Sequence, residues 1–155
     1  MTGVQTCALP IYHARRQWSL RDDPKLRFKG LADFDEKMLA ELKKSRALFG
    51  SGKNAIPTKL VANEPDKVLA FVRGDLLFVF NFNPVKSFED YGVIVPPASD
   101  WKHAFDTDEP RFEGQGRIMP GMTYSPSLVL DRGELVQQIK LYLPARTAIV
   151  LKRTI

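Results

Sequence analysis

One cysteine, Cys7, and two histidines, His13 and His103, stand in a chain of 155 residues. A lone thiol closes no internal disulfide, which agrees with a reducing, cytoplasmic setting. The two histidines lie far apart, and no Cys or His pair has the short spacing of metal ligands, so no metal site is expected. No stretch approaches the roughly 20 consecutive apolar residues that a membrane-spanning helix needs. Nor is the chain long enough for a (β/α)8 barrel of about 250 residues, although a domain of this size buries about 68–70% of its unfolded surface. Internal repeats, low-complexity tracts and cofactor-binding motifs are likewise missing.

What is present is an ordinary globular composition, 44% hydrophobic and 26% charged, with 11 Pro and 10 Gly. The net charge of +5 comes from 23 basic against 18 acidic side chains. Residues 12–48 hold 10 basic and 6 acidic groups, and residues 49–155 hold 13 and 12, so the excess is local to the N-terminal third. Opposite signs interleave there. A nucleic-acid surface would show a one-signed face with stacking aromatics, so no nucleic-acid partner is expected, and no membrane partner either.

Residues 1–11, Met-Thr-Gly-Val-Gln-Thr-Cys-Ala-Leu-Pro-Ile, carry no charge and no clear periodicity. They lack the basic start and longer apolar run of a signal peptide. The string is instead similar to the translation of a common sequencing-library adapter, with GTG read as the initiator. On that reading the natural sequence is residues 12–155, truncated upstream, and Cys7 belongs to the artefact.

Asp22-Asp23-Pro24 offers a helix start, with an Asp as cap and Pro at the first helical position. Leu31, Phe34, Met38 and Leu42 then recur at helical spacing, predicting one or two helices between residues 24 and 48, with a possible break near Gly30. Phe49-Gly50-Ser51-Gly52 ends the pattern in a flexible loop. From Lys67 onward the period becomes that of strands. Residues 68–72 and 76–82 flank Arg73-Gly74-Asp75 as a hairpin, both strands apolar on both faces as in a covered sheet. Further strands are expected at 92–95, 101–105, 136–143 and 147–152, the last two joined as a second hairpin by Pro144-Ala145-Arg146. Short strands separated by Pro and Gly, with no alternating helices, indicate a mainly β chain folded as an antiparallel β-sandwich behind one or two helices.

Chemistry is sparse. Gly50-Ser51-Gly52-Lys53 has part of a phosphate-binding loop, but position 47 is Ala, position 54 is Asn and the segment follows a helix, so it reads as a cap and linker. Asp106-Thr107-Asp108-Glu109 gathers three carboxylates near Trp101, Phe105 and Phe112, open to acid-base work on a sugar, a weak calcium site or a solvated turn. The turn is the commoner outcome. Tyr91, Trp101 and Phe112 are candidate glucan contacts, since aromatic faces stack on sugar rings, against the ordinary fate of such side chains in a core.

Longer segments carry a resemblance. Ala14-Arg15-Arg16-Gln17-Trp18-Ser19-Leu20, Asp22-Asp23-Pro24-x-Leu26-Arg27-Phe28 and Phe34-Asp35-x-x-Met38 resemble the end of the catalytic region of the 1,4-alpha-glucan branching enzymes, in glycoside hydrolase family 13 of the alpha-amylase superfamily. Lys67-Val68-Leu69-Ala70-Phe71, Leu77-Phe78-Val79-Phe80-Asn81-Phe82-Asn83-Pro84, Ser87-Phe88-x-Asp90-Tyr91 and Leu141-Tyr142-Leu143-Pro144-Ala145-Arg146-Thr147-Ala148 look like its C-terminal β-domain. The run Asp106-Thr107-Asp108-Glu109-Pro110-Arg111-Phe112-x-Gly114-Gln115-Gly116-Arg117 is similar to a loop of that domain. Residues 44–65 and 119–136 match weakly, and the Phe-Asn-Pro and Leu-Pro-Ala-Arg segments look more bacterial than eukaryotic.

The resemblance implies a glycogen-forming enzyme that cuts an α-1,4 linkage, holds the segment on an Asp and transfers it to a glucan 6-hydroxyl, a Glu acting as acid and base. Those catalytic motifs match no position here, so no catalytic residue and no cofactor is expected in this chain. The implied division is 12–50 as the helical end of the barrel domain, 51–66 as a linker loop and 67–155 as the sandwich. The implied partners are alpha-1,4-glucan or glycogen and the barrel of the same enzyme, against which Leu31, Phe34, Met38 and Leu42 would pack. A free-standing α-glucan-binding module is the alternative.

Overall fold

The computed structural model describes residues 17, 19–45, 56–97 and 100–154. The adapter-like segment, His13 and the Gly50-Ser51-Gly52-Lys53 loop lie outside the described residues. Two helices lead, α1 (Ser19–Asp22) and α2 (Phe28–Lys44). Strands follow: β1 (Thr58–Asn63), β2 (Val68–Arg73), β3 (Leu76–Asn81), β4 (Phe88–Ile94), β5 (Asp100–Asp106), β6 (Thr123–Tyr124), β7 (Ser127–Asp131), β8 (Glu134–Leu143) and β9 (Thr147–Thr154). They form an antiparallel sheet in the order β1-β2-β3-β9-β5-β6 and a second in the order β4-β8-β7.

Period-2 alternation puts Val68, Ala70, Leu77, Val79, Trp101, Ile149 and Leu151 of the larger sheet in one buried cluster with Val93, Ile139, Leu141 and Leu143 of the smaller. That is the interior of a β-sandwich. The β2–β3 hairpin turns at Gly74 with φ 64°, a left-handed position that glycine occupies without a Cβ clash. Leu76, Phe105 and Val150, on the outer face of the larger sheet, make a second cluster that takes Phe34, Met38 and Leu42 of α2. The helical stripe is therefore satisfied within this chain. Only Leu31 of the four expected residues stays out, 61% exposed, and it shares an open face with Phe28 and Leu39.

Helix α2 starts at Phe28 rather than at Pro24. The Asp23 carboxylate accepts the Lys25 N–H at 2.9 Å and the Asp23 carbonyl accepts that of Leu26, so the expected capping segment closes a turn of its own. Gly30 lies inside the helix without breaking it. A Cβ there would come within 3.0–3.2 Å of Glu113 and the Phe112 backbone, and its absence lets the loop after β5 dock on the helix.

Two further expectations are corrected. Residues 58–63, placed in the linker, form an edge strand paired with β2; being half-exposed, β1 lacks the continuous apolar run that marks its neighbours. Residues 136–143 and 147–152 form no hairpin, because β8 and β9 belong to different sheets. Both edges of β9 are taken, by β3 and β5, so the chain has to cross between layers at Pro144-Ala145-Arg146. Arg146 turns there with φ 58°, and the Thr147 hydroxyl donates to the Pro144 carbonyl at 2.7 Å. The buried Asn81 amide donates to the carbonyls of Leu143 (3.1 Å), Pro144 (3.0 Å) and Lys86 (2.9 Å), while its oxygen accepts the Asn83 N–H.

Asn81→Ala strips donors from three carbonyls at this crossing and is expected to destabilise the chain by about 2–4 kcal/mol, read from the urea midpoint at unchanged slope. A loss below ~1 kcal/mol would show that water replaces the amide there.

Candidate functional site

The densest polar constellation is built on the end of β5 and the loop behind it. A single-residue register shift against β9 between His103 and Phe105 re-aims the end of the strand, placing Phe105 under α2 and Asp106 in a buried polar site. Asp106 and Asp108 are 1% and 4% exposed, so the carboxylate cluster is no solvated turn. It escaped the water because every oxygen found a donor.

Asp108 is the hub. Arg117 grips it with both arms of the guanidinium, Nη2 on Oδ1 at 2.8 Å and Nε on Oδ2 at 3.1 Å, and the backbone N–H groups of Arg117 and Gln115 add 2.8 and 3.3 Å bonds. Burial alone would raise the Asp108 pKa, but the Arg117 side chain and these backbone donors outweigh it and hold the carboxyl below its usual range. The same bond raises Arg117 above its ordinary value. Gly114 must be glycine, since a Cβ would stand 2.2 Å from the Asp108 carbonyl carbon and oxygen.

Around the hub, the Asp108 N–H donates to Asp106 Oδ1 at 2.7 Å, and Asp106 Oδ2 lies 2.7 Å from His103 Nε2. His103 Nδ1 accepts the Gly121 N–H at 3.2 Å, so the Nε2 proton is the one donated to Asp106. Glu109 accepts the Asp106 N–H through Oε1 at 3.3 Å and pairs with Arg111 through Oε2 at 2.6 Å. Burial first, and the Asp106 charge second, push the nearby Tyr124 phenol upward. His103, Asp106 and Glu109 bring ligand-type atoms within 4.8 Å of one another, a grouping that sequence spacing did not suggest because a strand bulge and a turn create it. Each of those atoms already holds a protein partner, so the grouping is complete as a hydrogen-bond network.

Chemically, then, the loop is a clasp. A carboxylate held ionised by Arg117 is a poor general acid, and each of these oxygens already accepts a hydrogen bond from the protein. What the clasp positions is Pro110–Phe112, a 3₁₀ turn whose Phe112 ring packs edge-on against Phe34 of α2 at 5.4 Å. Thr107 ties it to the start of β9 through bonds in both directions with Ala148.

The three candidate sugar-stacking rings do not form one platform. Trp101 is fully buried in the sandwich interior, which removes it as a glucan contact because neither ring face meets solvent. Tyr91 is half-buried on β4, edge-on to Phe88 at 5.1 Å, its hydroxyl accepting the Asn63 side-chain N–H at 3.1 Å. Phe112 is half-buried against α2, with Arg111 4.6 Å from its ring centre.

A pH dependence follows from Asp108. Its folded pKa is lowered, so its stabilisation is present above the unfolded value of about 3.9 and is lost as pH falls through the lower folded value. Asp108→Asn should cost about 1.5–3 kcal/mol near neutral pH by removing the charged partner of the partly exposed Arg117, and should flatten the loss of stability below about pH 4. Denaturation midpoints measured across pH check both; an unchanged acid limb would assign that limb to other carboxylates.

The profile of the alpha amylase, C-terminal all-beta domain family matches residues 60–154. The chain is 37% identical over 141 residues to the 1,4-alpha-glucan-branching enzyme of Emericella nidulans, covering 91% of this chain and 20% of that protein. It is 34% identical over 139 residues to the enzyme of the same name in Saccharomyces cerevisiae (90% and 19%) and 35% identical over 143 residues to that of Dictyostelium discoideum (92% and 20%). The chain thus spans about a fifth of the length of these curated relatives. With two antiparallel sheets over the matched span and that profile along most of its length, the chain belongs to the alpha-amylase C-terminal all-beta domain family.

Proposed function

We propose that this chain acts as the C-terminal part of a cytoplasmic 1,4-alpha-glucan branching enzyme, which forms α-1,6 branch points in glycogen by transglycosylation, and that it carries no catalytic residue of its own. The observation that carries the proposal is the continuous likeness to branching enzymes over nine-tenths of the chain, confined to about a fifth of each relative. The clasp supports it, because its carboxylates are committed to holding a loop and a helix together rather than to acid-base work.

In this reading residues 12–50 are the helical end of the barrel domain, and the barrel packs on the open side of α1 and α2. Leu20, Phe28 and Leu31 line an open groove of about 310 Å³ with Ala32. These residues are 37%, 50% and 61% exposed, the inverse of the Phe34, Met38 and Leu42 stripe turned to the sandwich. An apolar face of that kind marks a contact surface. Of the candidate glucan contacts, Tyr91 and Phe112 keep partial exposure and remain in the proposal as surface contacts of the intact enzyme.

Amylose incubated with the chain alone should gain no branches, scored by iodine absorbance and by chains released with a debranching enzyme. The same sequence joined to a branching-enzyme barrel should restore them. Branching by the chain alone would overturn the assignment of chemistry to the barrel. Retardation of the chain on glycogen-containing gels that weakens severalfold in Tyr91→Ala would favour the free-standing binding module instead.

A further inference from the structure

The smaller sheet ends on β7, and β7 differs from the other strands at sheet edges. At the opposite end of that sheet β4 exposes Glu89 and Asp90 and shifts register between Phe88 and Tyr91. In the larger sheet β1 exposes Lys59 and shifts register between Lys59 and Val61, while β6 is two residues long. Charge, bulges and brevity are the devices that keep an open edge from pairing with another chain. β7 is less guarded: its five residues run in unbroken register with β8, and Ser127 to Leu130 carry no charge, the one charged side chain being Asp131 at its turn end.

Its open groups follow from the turn. Arg132 and Gly133 both have positive φ, 49° and 89°, which makes a type I′ turn flanked by the pair Asp131 and Glu134. The pair beside such a turn is hydrogen-bonded and the two kinds of pair alternate, so Ser127, Val129 and Asp131 bond to β8. The N–H and C=O groups of Leu128 and Leu130 therefore point to the open edge. Their side chains are 67% and 73% exposed, and Leu135, paired with Leu130, is 70% exposed. By alternation Leu135 lies on the same face of β8 as the buried Ile139, Leu141 and Leu143, so the apolar face of the sandwich runs out along this hairpin uncovered by the described residues.

We propose that β7 is a pairing edge for a second copy of this chain, joined antiparallel about a two-fold axis at Val129. That axis sets Leu128 opposite Leu130 of the second copy and Leu130 opposite Leu128, the two residue types whose backbone groups face outward. Val129 meets Val129, and each Asp131 faces the uncharged Ser127, so no like charges face each other. The pattern Ser-Leu-Val-Leu-Asp is complementary to itself in this register. An isologous contact of this kind closes at two copies, and the two three-stranded sheets become one of six. Five residues of strand with flanking leucines make a contact smaller than the roughly 1,200 Å² at which standard specific interfaces begin, so the dimer is reversible.

Sedimentation velocity on the 155-residue chain should show a mass rising toward twice the single-chain value with concentration, and amide exchange at Leu128 and Leu130 should slow in parallel. Leu128→Lys with Leu130→Lys, which puts charge on the edge without touching a bond to β8, should weaken the dimer at least ~tenfold. Leu31→Lys on α2 should leave it unchanged. A chain that stays single at every concentration, as when the hairpin instead seats the rest of a longer enzyme, overturns the proposal. So does association that survives the double substitution or is abolished by Leu31→Lys, or exchange at Leu128 and Leu130 that ignores concentration.

Discussion

The carboxamide of Asn81 holds the corner on which the two layers depend. A sandwich needs its chain to leave one sheet and enter the other without burying unpaired carbonyls, and the step from β8 to β9 does this at Leu143 and Pro144. Both carbonyls accept from the Asn81 amide where the chain leaves the smaller sheet. The same amide reaches Lys86, and its oxygen turns the chain at Asn83, so one side chain serves the exit from β3, the approach to β4 and the crossing to β9. No other residue type of that size has both donors and an acceptor. The Phe-Asn-Phe-Asn-Pro and Leu-Pro-Ala-Arg-Thr segments, remote in sequence, are the two halves of this joint.

Asp108 plays the corresponding part for the helix. It is 4% exposed, where an ionised group survives only with a full set of donors, and Arg117 with two backbone N–H groups supplies them. The loop folded around that carboxylate lifts Phe112 against Phe34 and lies over Gly30. Helix α2 is thereby held at one end by the clasp and along its length by Leu76, Phe105 and Val150. A residue cluster with the types of an active site thus serves to join a helix to a sheet.

The surfaces left over have a different character. The open face of α1 and α2 and the β7–β8 hairpin are both apolar, yet they arise in different ways. The helix presents one stripe inward and a second outward, which suits an element lying between two bodies. The hairpin simply extends past the covered part of its sheet, taking the core-facing register with it.

Strand periodicity, the Gly74 turn and the spacing of Phe34, Met38 and Leu42 were legible in the sequence, because local sterics and a period of 2 or 3.6 act over a few residues. So was the family, since long ordered segments specify more than any short motif. Edge strand β1 was not, because half-exposed strands have no continuous apolar run. The false hairpin at Pro144-Ala145-Arg146 came from reading closeness in sequence as pairing, whereas the partners of β9 are chosen by which edges the sheets leave free. Trp101 looked like a sugar platform until the second sheet covered it, and Asp106 and Asp108 looked like a wet turn until the folded loop turned Arg117 back onto Asp108 and the end of β5 set His103 against Asp106. The amino-acid order by itself determined the elements and their apolar faces. Which faces meet, and whether a carboxylate or an indole is buried or wet, was decided by the tertiary structure, because burial is a property of the neighbours that packing brings and not of the residue itself.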